Sequence, residues 1–155
     1  EDQRFPEHWG FDFEAIREAE AHNQRHRHLR GASTISQQLA RNLFLWPHRD
    51  WVRKGLEVYW TLLLEGLWPK HRILEVYLNV VELGDGIYGV EAASEAYFGH
   101  PAARDSWSQA ALLAAVLPSP RRWHVERPSA FVSGRAAEIQ AQMGHLGIGY
   151  VERLP

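Results

Sequence analysis

The chain has 155 residues, no cysteine, 17 Lys plus Arg against 19 Asp plus Glu, and 45% hydrophobic residues. That length suits one core-forming domain without a disulfide or metal staple, and the missing thiols exclude a disulfide framework, a thiolate zinc site and a cysteine nucleophile. The near-neutral balance speaks against a basic nucleic-acid binder, the longest apolar run, Ala110–Leu117, falls far short of the ~20 residues of a membrane span, and no signal peptide is read in these residues.

The helical signals come in chain order. Asp12 leads a short helix over Phe13–Glu20. His22–Arg30 is polar and reads as a loop; its His22, His26 and His28 lack a carboxylate cluster and read as solvated, so no metal site is assigned there. Thr34-x-x-Gln37 is a capping box that opens a helix to about Leu45, which Pro47 stops. Asp50 caps a helix from Trp51 to about Leu67, and Pro69 stands at the start of one reaching about Val80. Gly84-Asp85-Gly86 is a turn between Val80–Leu83 and Ile87–Val90, neither of which alternates cleanly as a strand. Gly89–Phe98 is helical and closed by Gly99; Ser106 caps a helix through Leu117, closed by Pro118; Pro128 to about Gly144 is the last. With no repeat and no Pro/Gly/Ser linker, the pattern is mainly α, with about seven helices.

Seven tryptophans are many for this length. They suit a Trp-rich core or a surface that meets sugar, lipid or a partner.

The helix at 34–45 is the most informative. Ile35, Leu39 and Leu43 form a stripe expected to face the core, and Thr34, Gln37, Gln38, Arg41 and Asn42 share the other side. Hydroxyls and amides there suit a sugar or a phosphate ester, or else an amide-rich solvated face. Arg49, Arg53 and Glu57 are spaced by four, with Lys54 adjacent. This is either an anion clamp with a carboxylate beside it or a solvated charge stripe. Glu1 and Asp2 precede Phe5 and His8, and Glu1 and Glu57 are candidates for carboxylates that the fold brings together for glycosyl chemistry.

The strings EDQRFPEHWG, GASTISQQLARNLFL, RKGLE, RILEVYLNVVELGDGIYGVEAASEAYFG and ALLAAVLPSP stand in order. Together they resemble the five motifs of the peptidoglycan glycosyltransferase family, over nearly the whole chain from Glu1 to about Pro120. The tail PRRWHVERPSAFVSGR resembles the monofunctional branch of that family in proteobacteria. The resemblance implies a mainly α, lysozyme-like, two-lobed domain over 1–155, with its smaller lobe against the membrane. It also implies a transmembrane helix and a first segment of the domain ahead of Glu1. The implied location is the bacterial inner membrane, with the catalytic domain facing the periplasm.

The implied reaction is polymerisation of lipid II into glycan strands, with inversion at the anomeric carbon and release of undecaprenyl pyrophosphate. Glu1 would be the general base. Glu57 would be a second catalytic glutamate that holds the cations, helps bind a divalent metal or assists the donor. Arg41, Arg49, Arg53 and Lys54 would bind pyrophosphate; Ser33, Thr34, Gln37, Gln38 and Asn42 would line the cleft; Asp2, Phe5 and His8 would support the first motif. Arg41 stands where many members carry Lys. Glu75, Asn79 and Tyr88 are motif positions that read as supporting, and Ile73, Leu74, Tyr77 and Leu78 read as core. No cofactor is obligatory, and a divalent cation (Mg or Mn) is optional. The implied partners are lipid II, the nascent glycan strand, the membrane, and cell-wall synthesis or division proteins, with no nucleic acid. Two other readings stand beside this one. A lysozyme-like glycan-cleaving enzyme would need no pyrophosphate clamp, and a non-catalytic cell-wall scaffold would need no glutamates.

Overall fold

The computed structural model describes residues 2–25, 31–48 and 50–154. Seven α-helices and one small hairpin follow one another there: α1 Phe13–Arg25, α2 Ile35–Phe44, α3 Trp51–Leu67, α4 Lys70–Val80, β1 Glu82–Gly84, β2 Ile87–Tyr88, α5 Val90–Phe98, α6 Trp107–Val116 and α7 Ala130–Leu146. Short 3-10 turns occupy Ala102–Arg104 and Ile148–Arg153. The mainly α expectation holds.

Helix starts are fixed by the expected side chains. Thr34 accepts from the Gln37 amide while the Gln37 side chain accepts from the Thr34 amide, a complete capping box. Ser106 and Gln109 repeat it at α6. Asp50 accepts from the Arg53 amide at α3, and Asp12 from the Ala15 amide at α1. Pro69 sits one residue ahead of α4, its carbonyl accepting from Arg72 and Ile73. One boundary differs: α1 continues through Arg25, so His22–Arg25 is helical and not loop. No Gly or Pro interrupts the chain between Phe13 and Gly31, so nothing local stops the helix. His26 and His28 lie outside the described residues.

The chain folds as two compact units that part within α4, one ending at Leu74 and the other spanning Glu75–Leu154. In the second unit α6 is apolar nearly all round and packs on α7, with Ala111, Leu113, Ala115 and Val116 buried. Tyr77, Val81, Leu83, Ala93, Val125, Val132 and Leu154 are buried there too. β1 and β2 pair antiparallel, Glu82 with Tyr88 and Gly84 with Ile87. Tyr97 donates to the Leu83 carbonyl beneath that hairpin. Its own burial, then the Glu126 charge, push its phenol up. In the first unit α2 packs on α3. Its core is polar: of the buried polar and charged residues described, Ser94 is the one in the second unit.

Two core expectations are corrected. On α2 the buried residues are Ser36, Gln37, Leu39 and Ala40, while Leu43 is exposed and Ile35 half-buried. The inward face is therefore rotated toward small and polar residues. On α4 Ile73 and Tyr77 are buried, but Leu78 is exposed and Leu74 half-buried. No tryptophan is buried; Trp9 is 70% and Trp51 91% exposed. The Trp-rich core is overturned.

Gly89 has φ +83°, and a Cβ there would lie 2.6 Å from the Asn79 carbonyl oxygen. Backbone cannot yield as a side chain can. Gly89→Ala should therefore cost about 2 kcal/mol, read as a lowered urea midpoint at unchanged slope.

Candidate active site

The segment from Asp2 to Gly10 is tied down at both ends by α2. Asp2 Oδ2 accepts from the Ile35 amide at 3.0 Å, in the first turn of α2, where unpaired amides and the helix dipole favour negative charge. His8 Nε2 lies 2.9 Å from Asp2 Oδ1. The Asp2 side chain is 2% exposed. At the other end, the Thr34 hydroxyl donates to the Gly10 carbonyl at 2.7 Å. Gly10 has φ +76°, and a Cβ there would meet Thr61 Cγ2 at 2.6 Å. Only glycine lets the segment settle on α3. Phe5 is buried, its ring edge-on to His8. Arg4 closes the outer side with a two-pronged bond to Asp12.

The second group is on α3. Arg53 Nη1 donates to Glu57 Oε2 at 3.0 Å, and Lys54 Nζ to Glu57 Oε1 at 2.5 Å. The Glu57 side chain is 2% exposed, Arg53 9% and Lys54 44%. One buried carboxylate thus holds two cations, as the spacing allows. Arg53 Nε is buried with no hydrogen-bond partner among the described residues. Such an orphaned donor costs about 1–3 kcal/mol, and an anion reaching it would satisfy it. Asp50 stands one turn ahead. Its carboxyl is held below the ordinary value, first by the Arg53 amide and next by the Trp46 indole, which donates at 2.7 Å.

The two groups are joined through Thr61. Its hydroxyl donates to the Glu57 carbonyl at 2.6 Å, and its methyl faces Gly10.

The expected cleft residues divide. Thr34 and Gln37 are buried and bonded to backbone as the capping box. They hold α2 and are not displayed as a polar face, because a capping side chain spends its acceptor on the helix. Gln38 donates to the Ser33 carbonyl. Ser33 and Arg41 are half-buried and Asn42 is exposed, so these remain on the accessible side of α2. Glu1 and Arg49 lie outside the described residues; α3 begins two residues after Arg49. Asn79 donates to the Glu75 carbonyl of its own helix, and Tyr88 is exposed.

Two residues the sequence reading passed over belong to the same unit. Glu65 and Lys70 form a buried ion pair at 2.7 Å, and Ser36 donates to the same Glu65 oxygen at 2.5 Å. The spacing of four that links Arg53 to Glu57 continues through Thr61 to Glu65 and was the available signal.

The optional divalent cation does not fit the described donors. Asp2, His8 and Asp12 bring ligand atoms within 4.8 Å of one another. Asp12, however, is spent on Arg4 and the Ala15 amide, and Asp2 on Ile35 and His8. The adjacent guanidinium would also repel a cation. Both Glu57 oxygens are taken by cations.

A family model described as Transglycosylase matches residues 1–144. Among curated relatives, the chain is 58% identical over 155 residues to a biosynthetic peptidoglycan transglycosylase of Stutzerimonas stutzeri, covering 99% of this chain and 64% of the relative. Proteins of the same description from Bdellovibrio bacteriovorus and Escherichia coli are each 60% identical. They cover 90% and 95% of this chain and 56% and 61% of their own lengths. The chain thus spans about three-fifths of these relatives.

Glu57→Gln leaves Arg53 buried beside a neutral amide and should destabilise the protein by about 3 kcal/mol, measured by urea unfolding. Asp50 gives a pH test. A lowered folded value means that its contribution is fully present above the ordinary value and is lost as pH falls through the folded one. Asp50→Asn should therefore lose less stability than the parent as the pH falls below the ordinary carboxylate value of about 4; parallel acid limbs would refute this.

Proposed function

The chain belongs to the transglycosylase family, and from that membership we propose that the protein carrying it polymerises lipid II into glycan strands. The observation that carries this reading is the Arg53–Glu57–Lys54 cluster, with a half-exposed ammonium and an orphaned guanidinium donor. A diphosphate leaving group needs fixed cations where its charge develops. A glycan-cleaving enzyme of lysozyme-like fold has no such anion to hold, and a scaffold has no reason to gather two cations on one buried carboxylate.

In this reading the 4-hydroxyl of the acceptor sugar attacks C1 of the growing donor chain. The new C1–O bond forms as the bond to the pyrophosphate oxygen breaks, and the configuration inverts. The hydroxyl proton passes to Glu1, and undecaprenyl pyrophosphate leaves with the electron pair. Asp2, covalently next to Glu1, fixes the segment to α2 together with His8 and Phe5. Arg41, Arg49, Arg53 and Lys54 receive the pyrophosphate; Ser33, Gln38 and Asn42 offer hydrogen bonds to the substrate. Glu57 acts by holding Arg53 and Lys54 in place. Both of its oxygens are engaged by those cations.

The outer side of α2 and α3 supports a membrane-surface setting. Phe44, Trp46, Trp51, Val52, Tyr59 and Leu62 are exposed there, and such a patch on one face marks a partner or lipid surface. No helix among the described residues is long and apolar enough to cross a membrane. Anchoring at the bacterial inner membrane, with this domain in the periplasm and other wall-building proteins nearby, is part of the same proposal.

The test is the full-length protein in detergent with labelled lipid II. The parent should make polymer and Glu1→Gln none. Lys54→Ala should lower kcat/KM by about 10- to 100-fold while the protein stays folded. Shortening of purified glycan with lipid II untouched would overturn the reading in favour of cleavage.

A further inference from the structure

Glu65 and Lys70 form a second buried ion pair in the first unit, with side chains 3% and 7% exposed. A buried pair is a poor device for stability alone, since apolar residues of equal volume do as well or better. Its value lies in direction, and the direction here is toward the segment that begins the chain. Lys70 Nζ donates to Glu65 and sits 4.5 Å over the centre of the Phe5 ring, a cation–π contact. Ser36, in the first turn of α2, donates to the same carboxylate oxygen. The neighbouring Ile35 amide is the one that holds Asp2. The Glu65 Cγ lies 3.1 Å from where a Gly10 Cβ would be. Glu65 therefore touches the segment at Gly10, reaches Phe5 through Lys70, and reaches the helix turn that binds Asp2 through Ser36.

We propose that the Ser36–Glu65–Lys70 network is the positioning element that sets the Asp2–Gly10 segment, to which the proposed base is covalently joined, against the first turn of α2. The catalytic part of this inference rests on the polymerase reading; the positioning part does not. None of the three residues is assigned contact with substrate. Ser36 and Lys70 act on the reaction through Asp2 and Phe5, and Glu65 through both.

The experiment uses the full-length protein in detergent with three variants: Glu65→Leu/Lys70→Met, Ser36→Ala and Lys70→Arg. The first readout is amide exchange by NMR, which needs no substrate. Exchange at Ile35 should quicken at least about tenfold in the first two variants, with Leu39 in mid-α2 still protected. The second readout is steady-state kinetics on lipid II. The apolar double variant should lose about 10- to 100-fold in kcat with KM within about twofold, and Lys70→Arg should recover most of kcat because it keeps charge, pair and ring contact. Unchanged Ile35 exchange overturns the proposal. So does exchange that rises equally at Leu39, or a KM increase at constant kcat. Should the double variant not fold, Ser36→Ala leaves both charges in place and carries the same readouts. If the parent makes no polymer while Ile35 responds as stated, the polymerase reading falls and the positioning role stands.

Discussion

The first unit depends on one helix that is inside out. Along the inward face of α3, Arg53, Glu57, Thr61 and Glu65 follow at intervals of four, and all are buried. Charges taken out of water cost several kcal/mol each unless they are paired with good geometry. That cost dictates the surroundings. Glu57 takes Arg53 and Lys54 from its own helix; Glu65 takes Lys70 from α4 and the Ser36 hydroxyl from α2. Thr61, between them, turns its hydroxyl back to the Glu57 carbonyl and leaves its methyl for Gly10. Every element of the unit that meets this stripe brings it a partner or a shape. The segment from Asp2 to Gly10 has no regular structure of its own and is placed by those contacts.

Local signals in the sequence were readable because they are settled locally. Thr34 with Gln37, Ser106 with Gln109, and Asp50 each satisfy amides within their own first turn, so a short string states them in full. The hairpin at 82–88 was half visible: its Gly-Asp-Gly turn was plain, but strands of three and two residues are too short to alternate. Burial was less legible. A period of four in polar residues describes a solvated face and a buried network equally well, and only the partners decide. The Arg53–Glu57 pairing could be anticipated; its continuation to Glu65 needed Ser36 and Lys70, from elsewhere in the chain. Thr34 and Gln37 show the same ambiguity. One pattern carried both a capping box and a ligand face, and the cap claims the atoms. The tryptophans stood open between core and surface, because residue type says how much apolar area is present and not where it lies.

The second unit makes the contrast. Its core is apolar and ordinary, built on α6 and α7. Sequence reasoning that assumes apolar residues inside serves better there, Leu78 apart, than along α2 and α3 of the first unit. Local rules are expected to break at functional sites, where stability is traded for placed charge. Ser36, Gln37, Arg53 and Glu57 fall within the family motifs, while Thr61, Glu65 and Lys70 lie outside them.

The same inversion explains the outer surface. A helix has a limited circumference, so filling one face with Arg, Glu and Thr displaces its apolar residues to the other. Trp51, Val52, Tyr59 and Leu62 are exposed on the helix whose polar side is buried. An isolated water-soluble helix gains nothing from this arrangement. It exposes apolar area worth roughly 25 cal/mol per Å² and buries charge as well. The inner charges are offset by their partners within the unit, and the outer face gains where it meets something apolar. Under the proposed function, a lipid-linked diphosphate would bring an apolar tail to meet the exposed aromatics and an anion to meet Lys54 and the unpartnered Arg53 nitrogen. On that proposal, the buried stripe and the exposed patch are one adaptation seen from two sides of α3.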